Sequence, residues 1–204
     1  VYLSVDPTNL DKLYRRQYPL PHALTAPIQA ILDRWLKEGK IKPAPKGCKF
    51  NSPLLGVPKK DEYGKMTGVR LCIDIRTLNQ FLLEDDRFQL PRIPDVLATF
   101  AGGKLFGEFD LSEAYFQFRL AEESQQYTAF TWNGQQYVFV GCPFGIKHIP
   151  SLFQRYIVNL FKDMPFVFPY IDNLGFASSS WDEHYKHASM IVERLNSVNL
   201  RIKP

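Results

Sequence analysis

Two aspartates occupy positions from which they could bind a hard cation. Asp110 closes the apolar run Leu105–Phe109, and Asp172 begins the pair Asp172-Asn173 between Phe168-Pro169-Tyr170-Ile171 and Leu174-Gly175-Phe176. The second pattern predicts two strands joined by a tight turn with a carboxylate at its tip. Carboxylates from two separate strands meet only if those strands are neighbours in one sheet. They can then hold two divalent ions about 3.5–4 Å apart, an arrangement suited to in-line phosphoryl transfer. Magnesium needs only one or two protein carboxylates when substrate phosphates complete its shell. From spacing alone the signal is weak, since a lone Asp at a strand end is more often a turn or cap residue.

The elements that must position these residues follow from periodicity. Thr25 is placed to cap a helix with Pro27 in its first turn; Ile28, Ile31, Leu32, Trp35 and Leu36 keep helical spacing, and Gly39 stops it. Val1–His22 reads as an extended, proline-punctuated lead-in and Ile41–Ser52 as basic and turn-rich. Leu54–Val57 and Val69–Ile75 read as strands around a polar loop, Asp61–Gly68, with Lys59, Lys60, Lys65 and Arg70 near its tip. Leu90-Pro91-Arg92-Ile93 opens a short helix ending near Gly102-Gly103, and Leu105–Phe109 is a strand. Tyr127–Trp132 and Gln136–Val140 flank Asn133-Gly134, a hairpin signal. Ile149, Leu152, Phe153, Tyr156, Ile157, Leu160 and Phe161 mark an amphipathic helix. Ser180 and Glu183 form a capping box for a last helix carrying Ala188, Ile191, Val192, Leu195 and Val198. Pro169, just before the turn, fits only an edge strand or a strand entry. Strands and helices occur in segregated runs with hairpins, which predicts an α+β fold.

Composition narrows the function classes. The 204 residues are 45% hydrophobic, enough for one large domain or two subdomains sharing a core. No apolar run of about 18 residues occurs, so no membrane span is expected. No signal peptide is visible, and the first residue is Val, so a segment of a longer chain is expected. Cys48, Cys72 and Cys142 are odd in number and far apart, matching neither a zinc site nor a disulfide framework; a reducing compartment is expected. The net charge of +4 is uneven: residues 1–80 hold 14 Lys/Arg against 7 Asp/Glu, residues 81–204 hold 11 against 14. Such a division fits either a solvated surface or a basic lobe for phosphates beside an acidic lobe for metal. His184 and His187 lie three apart on a helix, but no Cys or acidic partner completes a zinc set.

Seven motifs in order give the chain a resemblance. Leu36–Ile41; Ser52-Pro53-Leu54-Leu55-Gly56-Val57-Pro58-Lys59-Lys60-Asp61; Val69–Asn79; Leu90-Pro91-Arg92-Ile93; Phe109-Asp110-Leu111 with Tyr115; Cys142-Pro143-Phe144-Gly145-Ile146-Lys147 with Pro150 and Phe153-Gln154-Arg155; and Tyr170-Ile171-Asp172-Asn173 followed by His184 and His187. From about Pro21 to Pro204 the chain resembles the fingers and palm of reverse transcriptases of Ty3/gypsy-type long-terminal-repeat retrotransposons. The resemblance implies a right-hand polymerase fold with an antiparallel palm sheet backed by helices and no thumb. It implies a lead-in at 1–20, fingers at 21–88 and 119–148, and palm at 89–118 and 149–204. The implied activity is RNA-directed DNA polymerisation: transfer of deoxynucleotides to a primer 3′-hydroxyl, with two Mg2+ ions, for which Mn2+ could substitute.

Roles follow from the resemblance, residue by residue. Asp110 and Asp172 would be the metal ligands, with the Leu111 carbonyl a third. Lys59 and Arg70 would grip the incoming triphosphate, where Arg offers bidentate contacts and Lys a compact charge; their plainer reading is two solvated hairpin charges. Tyr115 would be the steric gate against a 2′-hydroxyl, or else ordinary aromatic packing. Phe144 would form a platform beside the nucleotide, with Gly145 allowing close backbone approach. Arg76, Lys147 and Tyr170 would face template and primer. The implied partners are an RNA or DNA template with its primer, deoxynucleoside triphosphates, and the thumb, RNase H and integrase segments of the same polyprotein. The implied location is a cytoplasmic virus-like particle, or the nucleus.

One residue departs from the pattern. Asn173 stands where the family usually has a second Asp. Asn keeps an acceptor oxygen and loses the charge. A unit charge about 4 Å from another is worth roughly 4 kcal/mol at an effective dielectric of 20, and that much in the transition state is about a thousandfold in rate. Three accounts stand at this point: a lineage that works with Asp-Asn, a decayed or domesticated copy that binds nucleic acid without polymerising, and an engineered substitution.

Overall fold

The computed structural model describes residues 1–83, 88 and 91–203, and of 93, 97 and 99 only the backbone. The helices are α1 (Thr25–Lys37), α2 (Arg76–Phe81), α3 (Ile93–Thr99), α4 (Glu122–Gln125), α5 (Ile149–Leu160) and α6 (Trp181–Ser197). The strands are β1 (Ile41–Pro43), β2 (Leu54–Lys60), β3 (Met66–Ile73), β4 (Leu105–Asp110), β5 (Phe130–Trp132), β6 (Gln135–Phe139), β7 (Val167–Tyr170) and β8 (Asn173–Ser178). All strand pairs are antiparallel. Among the described residues no helix is long and apolar enough to cross a membrane. The chain divides into two compact units: Val1–Asp85 with Phe118–Lys147, and Asp86–Gln117 with His148–Pro204.

In the first unit, α1 buries Ile28, Leu32 and Trp35, and the Trp35 ring meets Phe139 of β6 at 5.6 Å. Thr25 does not cap this helix. A short 3-10 turn, His22–Leu24, runs straight into it, so Leu24 takes the cap position without a side-chain bond. A three-stranded sheet has the order β1-β6-β5, with Asn133-Gly134 as the turn of the β5–β6 hairpin. Tyr127 lies outside β5, in a 3-10 turn over Gln126–Thr128. β2 and β3 form a separate hairpin that is longer than expected, because the ladder continues to Lys60↔Met66 and the loop shrinks to five residues, 61–65. The Asp61 carboxylate ties that loop by accepting from the Tyr63 and Lys65 N–H groups. Residues 1–20 are packed into this unit: Leu3 and Leu13 are buried, and Val5 and Tyr14 bridge to Leu82 and Asn51.

The second unit is built on a three-stranded sheet of order β4-β8-β7. β8 alternates half-buried and buried residues, Leu174, Phe176 and Ser178 facing inward, the period expected of a sheet covered on one face. α6 packs on β8 and β4, and α5 on β7. Pro169 lies in β7, an edge strand. The Ser180 hydroxyl accepts from Glu183 N–H at the start of α6, while the Glu183 carboxylate reaches back to Ser179 N–H. Leu90 of the expected α3 start lies outside the described residues, as does Pro204; α3 ends at Thr99.

His184 and His187 serve this packing. Their Nδ1 atoms lie 3.0 and 2.9 Å from Ser178 Oγ, and their rings stack on Phe176 and Phe166. The Phe176 ring is sandwiched between Phe109 at 5.5 Å and His184 at 4.6 Å, and it covers the Cα of Gly107, its partner across the ladder. A Cβ at Gly107 would stand 2.3 Å from Phe176 Cζ. Since the ring is held on both faces, Gly107→Ala is expected to lower stability by about 1–3 kcal/mol through overpacking, measured as a lower urea midpoint of unfolding.

Candidate active site

The register of the second unit brings the two predicted carboxylates to one end of its sheet. Asp110 ends β4 opposite Asn173, the first residue of β8. Asp172 precedes Asn173 in the two-residue turn from β7, and its carbonyl accepts from Leu111 N–H at 2.7 Å. Asp172 is exposed and Asp110 half-buried, so both can meet a solvated ion. Leu111 itself is buried, bridged to Ile202. Among the described residues no three His, Cys, Asp or Glu side chains cluster as a complete metal cage. Two carboxylates with room for substrate oxygens are a donor set that fits magnesium and not a structural zinc.

The turn carrying Asp172 is conformationally costly. Ile171 has φ 55, a left-handed conformation that a β-branched residue adopts only under constraint. The constraint is Gln154 of α5, which is fully buried. Its carboxamide oxygen accepts from Ile171 N–H at 2.6 Å and its nitrogen donates to Pro169 C=O at 2.8 Å. One planar amide thus bonds two successive outward-facing groups of β7 and the turn, as the peptide unit of a neighbouring strand would.

Tyr115 follows β4 in a 3-10 turn, Ala114–Gln117. Its ring meets Phe153 edge-on at 5.6 Å. Burial first, and then the negative charge of Asp172, raise the pKa of its hydroxyl, so the ring stands within electrostatic reach of the carboxylate turn. Tyr170 is half-buried and, with Asn173, Gly175, Glu108 and Phe100, lines a cavity of about 670 Å³ on the opposite face of the sheet from Leu174 and Phe176. Phe100 rests over Gly175, where a Cβ would stand 2.7 Å from its ring.

The remaining predicted residues belong to the first unit. Val57 pairs with Arg70 and Lys59 with Gly68, so Lys59 and Arg70 project from one face of the β2–β3 hairpin as a diagonal pair. Both are exposed, and among the described residues neither is ion-paired. Phe144 is 51% exposed, so about half of a large apolar ring faces solvent. Gly145 has φ 100, which only glycine adopts cheaply. Arg76 forks onto buried Asp74, with Nη2 2.7 Å and Nε 2.8 Å from its two oxygens, and Tyr18 OH donates to the same carboxylate. The ammonium of Lys147 caps Leu82 C=O at 3.1 Å. Cys142 is buried, and burial pushes its thiol up to about 12, so it is no nucleophile. The other two cysteines are also free thiols.

Sequence reasoning missed three residues that hold these pieces. Beside Gln154, the Asn79 carboxamide donates to Gly145 C=O at 2.7 Å and accepts from Lys147 N–H at 3.0 Å, clamping the loop that presents Phe144. Gln117 accepts from Arg201 N–H and donates to Ser112 and Arg201 C=O. Asn79 and Gln154 stand inside the motifs quoted above, but only their neighbours had an assigned chemistry. The available signal was an uncharged amide beside each predicted site loop.

Two expectations follow. Gln154→Ala removes both bonds and leaves the half-buried Ile171 N–H without its partner, a loss of about 1–2 kcal/mol; amide exchange at Ile171 and Asp172 should accelerate while exchange in the centre of α6 stays unchanged. The Arg76 guanidinium bonded to Asp74 holds that carboxyl at about 2, below its ordinary 3.8. The stabilisation is therefore complete above pH 4 and is lost as pH falls from about 4 through 2. Asp74→Asn should lower the melting temperature at pH 6 and flatten its decline between pH 4 and 2.

Comparison with known proteins agrees with this geometry. The family model described as "Reverse transcriptase (RNA-dependent DNA polymerase)" matches residues 57–204. The Pol polyprotein of the Drosophila melanogaster transposon gypsy is 31% identical over 94% of this chain, which spans 19% of that polyprotein. The foamy viral protease–reverse transcriptase in complex with dsDNA superposes with TM-score 0.83 at 28% identity, over 98% of this chain and 39% of that one. The same enzyme in complex with RNA/DNA hybrid gives 0.82 at 26%, over 94% and 25%. The chain is thus about a fifth of the polyprotein it resembles. The mixed α+β architecture, Asp110 at the end of β4 beside the turn that carries Asp172, and these matches converge: the chain belongs to the reverse transcriptase (RNA-dependent DNA polymerase) family, in the form carried by Ty3/gypsy-type retrotransposon polyproteins.

Proposed function

We propose that the chain is the fingers and palm of an RNA-directed DNA polymerase, the first unit being fingers and the second palm, and that Asn173 leaves it active. The observation that carries this reading is the register Asp110↔Asn173, which sets Asp172 beside Asp110 on a turn clamped by Gln154. Asp110 and Asp172 would hold a pair of magnesium ions, with the Leu111 carbonyl as a third ligand and Mn2+ as a substitute. The chemistry supplied by such ions would be a lowered pKa at the primer 3′-hydroxyl and neutralisation of the leaving pyrophosphate.

The chain's own residues do the rest. Lys59 and Arg70 bind triphosphate oxygens. Tyr115, braced by Phe153, denies space to a ribose 2′-hydroxyl. Phe144 stacks beside the nucleotide on the Asn79-clamped loop. Arg76 uses the edge of its guanidinium turned away from Asp74, and Lys147 and Tyr170 contact template and primer. Asn173 offers one neutral oxygen where a second carboxylate is usual, which weakens ion binding without removing either main ligand. Template–primer, deoxynucleotides and the other polyprotein segments are the partners; a cytoplasmic virus-like particle, or the nucleus, is the site of action.

Asn173 also supports a second reading, a nucleic-acid-binding module that no longer polymerises. Primer extension on an RNA template, at low salt with the chain in excess, separates the two. The expected result is extension in Mg2+ and faster extension in Mn2+, a further rise of at least tenfold in Asn173→Asp, and loss in Asp172→Ala. No extension with Asn173 but extension with Asn173→Asp would leave the binding module, whose affinity for primer–template must then fall with rising salt. Extension that survives Asp172→Ala would overturn the metal assignment.

A further inference from the structure

The carboxylate corner contains a cation of its own. Lys203 Nζ lies 3.3 Å from Asp110 Oδ2. The pair is not an accident of two loose side chains, because the backbone around it is registered. Lys203 N–H donates to Asp110 C=O at 2.7 Å, Ile202 bridges Leu111, and Ser112 N–H donates to Arg201 C=O at 2.9 Å. Gln117 closes the far end by accepting from Arg201 N–H at 2.7 Å and donating to Ser112 C=O at 2.6 Å. Residues 201–203 therefore run as a short antiparallel partner to 110–112, and this register sets the Lys203 side chain against Asp110.

We propose that Lys203 is a resident countercation of this corner: its ammonium holds Asp110 until a divalent ion displaces it. The proposal rests on the two-ion reading of Asp110 and Asp172. Of the four residues Asp110, Asp172, Asn173 and Lys203, two are anionic, one is neutral and one is cationic, so the corner carries one net negative charge. Without Lys203 the two carboxylates would carry two negative charges and repel each other; with it, one of those charges is offset and the entering ion must compete. Both partners are partly exposed, at 66% and 46%. The pair is thus weak enough to open, and the long lysine stem can swing its head into water.

Mn2+ binding to the 204-residue chain, followed by electron paramagnetic resonance at low ionic strength, tests this. Lys203→Gln should tighten the Mn2+ Kd about tenfold, with the gain shrinking as salt is raised, and Lys203→Arg should stay near the original value. A second readout follows the amine itself. Reductive methylation of Lys203, quantified by mass spectrometry, should accelerate when Mn2+ is added, and should already be fast in Asp110→Asn without metal. A Kd unchanged by Lys203→Gln, or methylation insensitive to Mn2+, overturns the proposal and leaves the two-ion reading standing. Absence of Mn2+ binding in both proteins overturns the two together.

Discussion

The candidate site depends on one buried amide. Gln154 holds a two-residue turn in which Ile171 adopts φ 55, a conformation costing of order 1–3 kcal/mol when nothing compensates it. That turn decides where Asp172 stands and where β8 begins, and through the ladder it decides which residue opposes Asp110. A buried carboxamide suits the task because it has no water to fall back on: each unmade bond leaves a desolvated dipole. It also adds no net charge beside the two carboxylates.

The same device recurs in both units. Asn79 spans the Phe144 loop, Gln117 spans the segment returning to Asp110, and Gln17 exchanges two bonds with the Leu54 backbone at the start of β2. A carboxamide carries donor and acceptor on one rigid plane, so it can replace a peptide group where two backbone segments come near without forming a ladder. Irregular site loops need such replacements, since their own N–H and C=O groups have no strand or helix to satisfy them.

Much of this was legible in the chain, for identifiable reasons. The alternation along Asn173–Ser178, the spacing of Ile149, Phe153 and Ile157, the Ser180–Glu183 box and the Asn133-Gly134 turn are each local and redundant with their neighbours. The carboxylate pair was readable because both aspartates end apolar runs. What escaped was encoded between distant residues. The ladder continuing to Lys60 and Met66 is polar and exposed, so no burial pattern marks it. The packing of residues 1–20 depends on Leu3 and Leu13 finding partners far along the chain. Thr25 looked like a cap because the preceding 3-10 turn has no signature of its own. Nothing near Lys203 in the sequence points to Asp110.

Pro169 gives the sheet a boundary as well as a shape. It lies in the outer strand, with its carbonyl turned away from β8 and taken by Gln154. The outer rim of β7 therefore offers an incoming strand no N–H at Pro169 and no unsatisfied acceptor beside it. Bare rims of this kind invite another copy of the chain to add itself by main-chain pairing. Here a ring and a buried amide close that route at the strand that leads into the Asp172 turn, so self-association by sheet extension is disfavoured at the candidate site.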